Sequence, residues 1–132
     1  MNWPANTKNA HGVYRPCEVL RLPRKAGSLT ALSLAEIRLA ETPEGWRGAT
    51  AYHLSTGSMM GSARPVTDHC APHNSRAEAV SAACDCLTRE MSKLPDGEAG
   101  REASEIIAWA DGLCAPVQAD LFSMLGEGRA VA

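Results

Sequence analysis

Aromatic side chains are scarce in this chain: one Phe, two Tyr and three Trp amount to 5% of its residues, although hydrophobic residues reach 45%. Much of that apolar count is alanine, which buries little area, so the core is expected to be thin and built from Leu, Ile, Val and Met with the three Trp. Modest stability, or support from a partner, follows from such a core. A basic excess is also missing. Thirteen Lys and Arg meet 15 Asp and Glu, for a net charge of −2, whereas a strong nucleic-acid binder carries a cationic surplus that displaces counterions from phosphate. No apolar run reaches the roughly 18 residues that cross a bilayer, and Met1-Asn2-Trp3-Pro4 lacks the charged-then-apolar layout of a secretory signal. Five cysteines, an odd and irregularly spaced set, do not make a disulfide framework. A soluble protein of the reducing cytoplasm is the expectation.

At 132 residues the length suits one domain, and the patterning points to the α+β class. An antiparallel β-hairpin, or a three- to four-stranded sheet, is expected in the N-terminal half, packed against two or three C-terminal helices. Residues 1–12 are polar and read as a flexible arm, ordered only if something holds it. The sheet falls within 13–67. From Val13 to Leu22 the alternation is weak and flanked by Pro16 and Pro23, which suits an edge strand because proline donates no ladder bond. Arg24-Lys25-Ala26-Gly27 reads as a turn. Ala35, Ile37 and Leu39 then alternate with Glu36 and Arg38. Thr42-Pro43-Glu44-Gly45 supplies turn chemistry, proline presetting one position and glycine accepting positive φ. Trp46, Thr50, Tyr52 and Leu54 share a face of the returning strand, with a glycine bulge able to shift the register. Residues 55–74 are too long for a bare loop, and a third strand is expected at Ala63–Thr67.

Helices occupy 75–125. Ser75 and Glu78 form a capping box, and Val80, Cys84, Leu87, Met91 and Leu94 recur at helical spacing. Asp85 and Arg89 stand four apart as a supporting ion pair, and Pro95-Asp96-Gly97 reads as the stop. A second helix is expected over Glu98–Leu113 with Ala103, Ile106, Ile107, Ala110 and Leu113 inward. Pro116 opens a third, with Val117, Leu121, Met124 and Leu125 inward. Residues 126–132 form a frayed tail.

Motifs that carry chemistry are weak. His69-Cys70-Ala71-Pro72-His73 gathers three potential ligands, but zinc needs four that converge, and Cys84 and Cys86, two apart on a helix, point away from each other. Cys70, near a helix start and two histidines, is the best placed of the thiols to act as a nucleophile, yet no cysteine-hydrolase signature surrounds it. The stretch Ser55–Gly61 has the composition of a phosphate loop without its lysine or glycine spacing. Glu36 with Glu41, and Glu102 with Glu105, lie on strand or helix positions with no sign of a pocket that would separate their pKa values. The reading is therefore of no catalytic residue, no cofactor and no metal. Trp109 and Phe122 sit at the margins of their helical stripes, where an aromatic either covers a core end or anchors a partner.

The stretch Ala35-Glu36-Ile37-Arg38-Leu39-Ala40-Glu41-Thr42-Pro43-Glu44-Gly45-Trp46-Arg47, followed by Ser75-Arg76-Ala77-Glu78-Ala79-Val80, resembles small accessory proteins carried by bacterial plasmids, integrative elements and prophages. The resemblance spans residues 34–94 and implies mobile-element cargo, a group that includes anti-CRISPR and other counter-defence proteins. These act by occluding a host surface rather than by catalysis, and the matching positions are structural ones. A second likeness is to the strand-strand-strand-helix layout of integrase arm-binding and AP2-type DNA-binding domains. There a sheet enters the major groove with Arg and Lys on its face; here Arg38, Arg47 and Arg64 are offset by Glu36, Glu41 and Glu44. The expected function is a non-enzymatic inhibitor whose partner is another protein, or a protein–nucleic-acid complex, of the bacterial host. Its binding face is expected on the helical side at Glu102, Glu105, Trp109 and Asp111, where acids can mimic phosphate charge in a basic channel. The competing surface is the strand edge with Arg15, Arg21, Arg24 and Lys25, which fits the alternative of a small DNA-binding accessory domain.

Overall fold

The alternation at residues 35–39 builds the second strand of a four-stranded antiparallel sheet. The computed structural model describes residues 3–24, 33–56, 58–94 and 98–126. Its elements are β1 (Glu18–Leu22), β2 (Ala35–Thr42), β3 (Gly45–Thr56), β4 (Ser58–Ala63), α1 (Arg76–Ser92) and α2 (Glu98–Gly126). The strands lie in chain order, each antiparallel to the next, which is an α+β architecture with the sheet in the N-terminal half and two helices after it. Of the turn expected at Arg24–Gly27 only Arg24 is described, the turn at Pro95–Gly97 lies outside the described residues, and of the tail expected at 126–132 only Gly126 is described, as the last residue of α2.

The hairpin between β2 and β3 follows its turn chemistry. Thr42 pairs directly with Gly45, and the register runs unbroken to Ala35 opposite Tyr52, so no bulge shifts the faces. Gly45 has φ 140°, and a Cβ there would lie 2.5 Å from the His73 carbonyl oxygen, so both conformation and space require glycine. The third strand expected at Ala63–Thr67 is instead β4, Ser58–Ala63, and β1 makes the total four. Ser-Met-Met-Gly-Ser carries no strand pattern of its own. Main-chain pairing with β3, which runs on to Thr56, places it in the sheet.

One face of the sheet presents Leu20, Leu22, Ala35, Ile37, Leu39, Trp46, Tyr52 and Leu54 to the helices. Ser75 caps α1, its Oγ accepting the Glu78 amide at 3.1 Å. The Glu78 carboxylate accepts the amide of Asn74, one residue ahead of the cap, rather than that of Ser75. Val80, Cys84, Leu87 and Met91 are buried as the stripe requires, with Leu94 packed at its end. Arg89 donates to the main-chain oxygen of Asp85 at 3.4 Å, not to its carboxylate. In α2, Ala103, Ile106 and Ala110 are buried and Ile107 and Leu113 partly so. The third helix expected from Pro116 does not exist separately, because α2 continues through that position to Gly126. A proline forgoes one helical amide bond and crowds the carbonyl four residues back, at a cost of about 3 kcal/mol, and it does not by itself oblige a helix to end. Among the described residues no helix is long and apolar enough to cross a membrane.

The opposite face is covered by the chain's own start. The arm expected to be flexible is tied down from Trp3 onward. Asn6 donates its amide to Arg15 at 2.8 Å and its side-chain oxygen accepts the Glu41 amide at 2.8 Å. Tyr14 donates its amide to Val66 at 2.8 Å, and Tyr14 and Val66 close a small second core over Ala40 and Ala49. Small residues on β2 and β3 are what let the arm lie this close to the sheet. Strand β1 forms one sheet edge, bounded by Pro16 and Pro23, with the main-chain groups of Val19 and Arg21 directed outward.

Candidate functional site

Where β4 ends, its line along β3 is broken. Ala63 lies opposite Ala51, and the Arg64 amide donates to the Thr50 carbonyl at 3.3 Å. His73 takes up the line again opposite Trp46, exchanging main-chain bonds of 2.8 and 2.7 Å. Residues 65–72 therefore arch away over the back of the sheet, and the positions opposite Arg47, Gly48 and Ala49 are left without a neighbouring strand. The direction of the orphaned groups follows from the ladder. Leu39 turns its carbonyl toward β1, where it accepts the Cys17 amide at 2.9 Å. Gly48, directly across from Leu39, thus turns its N–H and carbonyl the other way, as Trp46 and Thr50 do. Among the described residues nothing bonds either group.

A cleft of about 400 Å³ occupies this gap. Its walls are Gly48, Ala49 and Thr50 of β3, the arch from Arg64 to His73, and Ala79, Ala82, Ala83 and Cys86 of α1, which recur at helical spacing as one small-residue stripe. A Cβ on Gly48 would meet the Ala79 carbonyl at 3.6 Å and the Leu39 side chain at 3.3 Å, so helix and strand approach closely here. The Thr50 hydroxyl, in a buried residue, has the Cys86 sulfur 4.0 Å away. No Asp or Glu lines the cleft, whereas Arg64, His69 and His73 do.

Arg47 holds the arch in place. Its side chain is 6% exposed, and the guanidinium donates to Thr42 Oγ1 (3.1 Å), to the carbonyls of Asp68 (3.2 Å) and Cys70, and to the Glu44 carboxylate (3.1 Å). The planar fork suits this divergent set of acceptors. Asp68 in turn accepts from Lys8 Nζ (2.8 Å) and from the Tyr14 hydroxyl (2.7 Å), joining arm to arch. The Lys8 ammonium bond first, and the Tyr14 hydroxyl second, hold the Asp68 carboxyl below its usual 3.8. A depressed pKa contributes stability that is complete above the unfolded value and is lost as pH falls through the folded one. Protection of the Tyr14 amide against hydrogen exchange, corrected for intrinsic rates, should therefore be constant from neutral pH to about 4 and fall below it. Asp68→Asn should lower protection at neutral pH and remove most of that acid step. An unchanged step in the variant would assign it to another carboxylate.

His69 is exposed, Cys70 turns its thiol to the Pro65 carbonyl at 3.8 Å, and His73 is held by its main chain. Among the described residues no three His, Cys, Asp or Glu side chains converge to hold a metal. Cys84 is buried beside Cys114, and burial first, then the Cys114 thiol, push its pKa up to about 12. On α2, Glu102 lies 3.0 Å from Arg24, with the two side chains 15% and 8% exposed, and Arg24 also donates to the His53 carbonyl. Glu105 is half-buried. Trp109 packs on the main core. Asp111 is exposed, but nine residues along an α-helix from Glu102 turn it about 180° away. The four residues proposed as one face are thus split between two sides of α2. Asp85 of α1 is likewise exposed.

The sequence does not single out Gly48 or Asp68, and it marks Arg47 and Thr50 only as strand-face positions. Only Gly48 carried a signal, since a glycine inside a strand often marks a close approach of backbone or ligand. No protein-family model matches the chain, and neither a curated protein nor a solved structure matches it.

Proposed function

We propose that this protein is a non-enzymatic binding protein of mobile-element origin that inhibits a bacterial defence complex by seating its acidic helical layer on a basic surface of that complex. The observation that carries this reading is an uneven charge distribution. Up to residue 75 the chain has eight Lys and Arg against five Asp and Glu, and from residue 76 five against ten. The sheet half is therefore net positive and the helical half net negative, a separation that steers association with a basic channel. The hairpin and helix-start resemblance supports the mobile-element origin. The sheet-face alternative has less to draw on. Arg47 is buried and committed to carbonyls, Arg38 lies 3.0 Å from Glu36, and Arg64 lies 3.5 Å from Glu90.

Because Glu102 is engaged with Arg24, the test uses two exposed acids of the helical layer, Asp85 and Asp111. Full-length protein immobilised as bait should capture a host complex from bacterial lysate, identified by mass spectrometry. Asp85→Lys with Asp111→Lys should slow association with the purified complex about tenfold at low salt and much less at high salt. Reversal at Arg15 and Arg21 should change it little. If the arginine reversals abolish binding and the aspartate reversals leave it intact, the acidic-face reading is wrong.

A further inference from the structure

The broken ladder beside β3 has a chemical shape of its own, independent of the acidic helical layer. Gly48 presents one N–H and one carbonyl, side by side, to the cleft. In an antiparallel sheet such a residue is matched by one partner residue that returns an acceptor and a donor across a small ring. The site is closed at one end by His73, bonded to Trp46, and at the other by Arg64, bonded to Thr50. A through-running strand cannot enter. The open length is about three residues, or roughly 10 Å, which admits only a small molecule or the last residues of a chain.

We propose that this cleft binds an N-acylated α-amino acid with a free carboxylate, either as a free compound or as the C-terminal residue of a peptide. One carboxylate oxygen accepts the Gly48 N–H, and the ligand's amide N–H donates to the Gly48 carbonyl. Antiparallel alignment with β3 sets the ligand in the direction of β4. Its carboxylate then falls toward the His73 end, and its acyl group extends toward Arg64 and Pro65. The absence of acidic side chains from the walls leaves nothing to repel a carboxylate at the His73 end, and Arg64, 3.5 Å from Glu90, stands at the acyl end. In a hydrogen-bonded pair the two side chains share a face, so the ligand's side chain lies on the α1 side with Ala79, Ala82 and Ala83. Helix and strand are close enough there to leave room for a glycine or alanine side chain and to reject an aromatic one.

The test is a titration of ¹⁵N-labelled full-length protein, followed by amide resonances, with N-acetylglycine as the probe. Two main-chain bonds and a small contact area suggest a Kd on the order of 1 mM. The Gly48 amide proton should move downfield with saturation, and its exchange with solvent should slow. N-acetylsarcosine, which lacks the N–H, and N-acetylglycine methyl ester, which lacks the charge, should each bind at least about fivefold more weakly. N-acetyltryptophan should not bind. Ala82→Leu should block the cleft while the rest of the spectrum stays folded. A short peptide ending in Ala-Gly tells the two sources apart: tighter binding than N-acetylglycine assigns the site to a chain end, and equal or weaker binding to a free compound. An unmoved Gly48 amide, or N-acetylsarcosine binding as well as N-acetylglycine, would overturn the proposal.

Discussion

Arg47→Met should destabilise the protein by about 2–4 kcal/mol in chemical denaturation, far more than Glu44→Gln. The guanidinium satisfies Thr42 Oγ1 and the carbonyls of Asp68 and Cys70 from a position that is 6% exposed. Methionine fills much of the same volume but donates nothing, and each buried acceptor left without a donor costs about 1–3 kcal/mol. Partial entry of water from the cleft keeps the total below the sum. Glu44 is the weak member, 56% exposed in the pair, and a pair with one solvated partner contributes at most about 1 kcal/mol. Arg47→Lys should recover little, because one ammonium cannot reach acceptors on both sides. The readout that separates anchoring from general stability is local. Amide exchange in residues 65–72 should accelerate in Arg47→Met before global unfolding does. Equal losses for Arg47→Met and Glu44→Gln would mean that the ion pair, not the carbonyl bonds, is what stabilises the arch.

Leu87→Ala should cost about 2–5 kcal/mol. Leu87 is fully buried, at 0% exposure, in the cluster that joins α1 to Ile37, Leu39 and Leu54 of the sheet and to Ile106 of α2. In a core with so much alanine the neighbours cannot extend into the space a leucine vacates, which favours the upper part of that range. Leu87→Met, which nearly conserves volume, should cost less than about 1.5 kcal/mol. An unchanged denaturation midpoint for the alanine variant would mean that this face of α1 does not carry the core.

What could be read from the sequence was whatever depends on side-chain periodicity and local turn chemistry. The β2–β3 hairpin follows from alternating Ala35, Ile37 and Leu39 and from Thr42-Pro43-Glu44-Gly45; α1 follows from Ser75 and the stripe through Met91. Features made by distant main-chain partners left no such mark. Strand β4 has a sequence suited to a loop and is a strand because β3 pairs with it. The N-terminal arm is ordered by Val66, Asp68 and Glu41, whose distance along the chain hides them from any local reading. Pro116 looked like a boundary because proline usually is one. On the candidate site, the acids of α2 could be found from composition, but not that Glu102 would be drawn inward by Arg24 or that Asp111 would face the other way. Arg47 reads as a surface arginine, and only the arch of residues 65–72 supplies the carbonyls that let it be buried.

The edge strand β1 bears on how this molecule meets copies of itself. An unpaired strand edge is a template for another chain and a route to aggregation. Here, among the described residues, an approaching strand would find only the main-chain groups of Val19 and Arg21 to bond, with Pro16 and Pro23 on either side offering no amide. Arg21 is also tied to Glu36 at 2.8 Å, so a charged pair stands beside that edge and would have to be stripped of water. With few aromatic residues to drive burial, such a short and charged edge gains little by pairing. A sheet that leaves a gap beside Gly48 at one side is thus shielded at the other from endless growth.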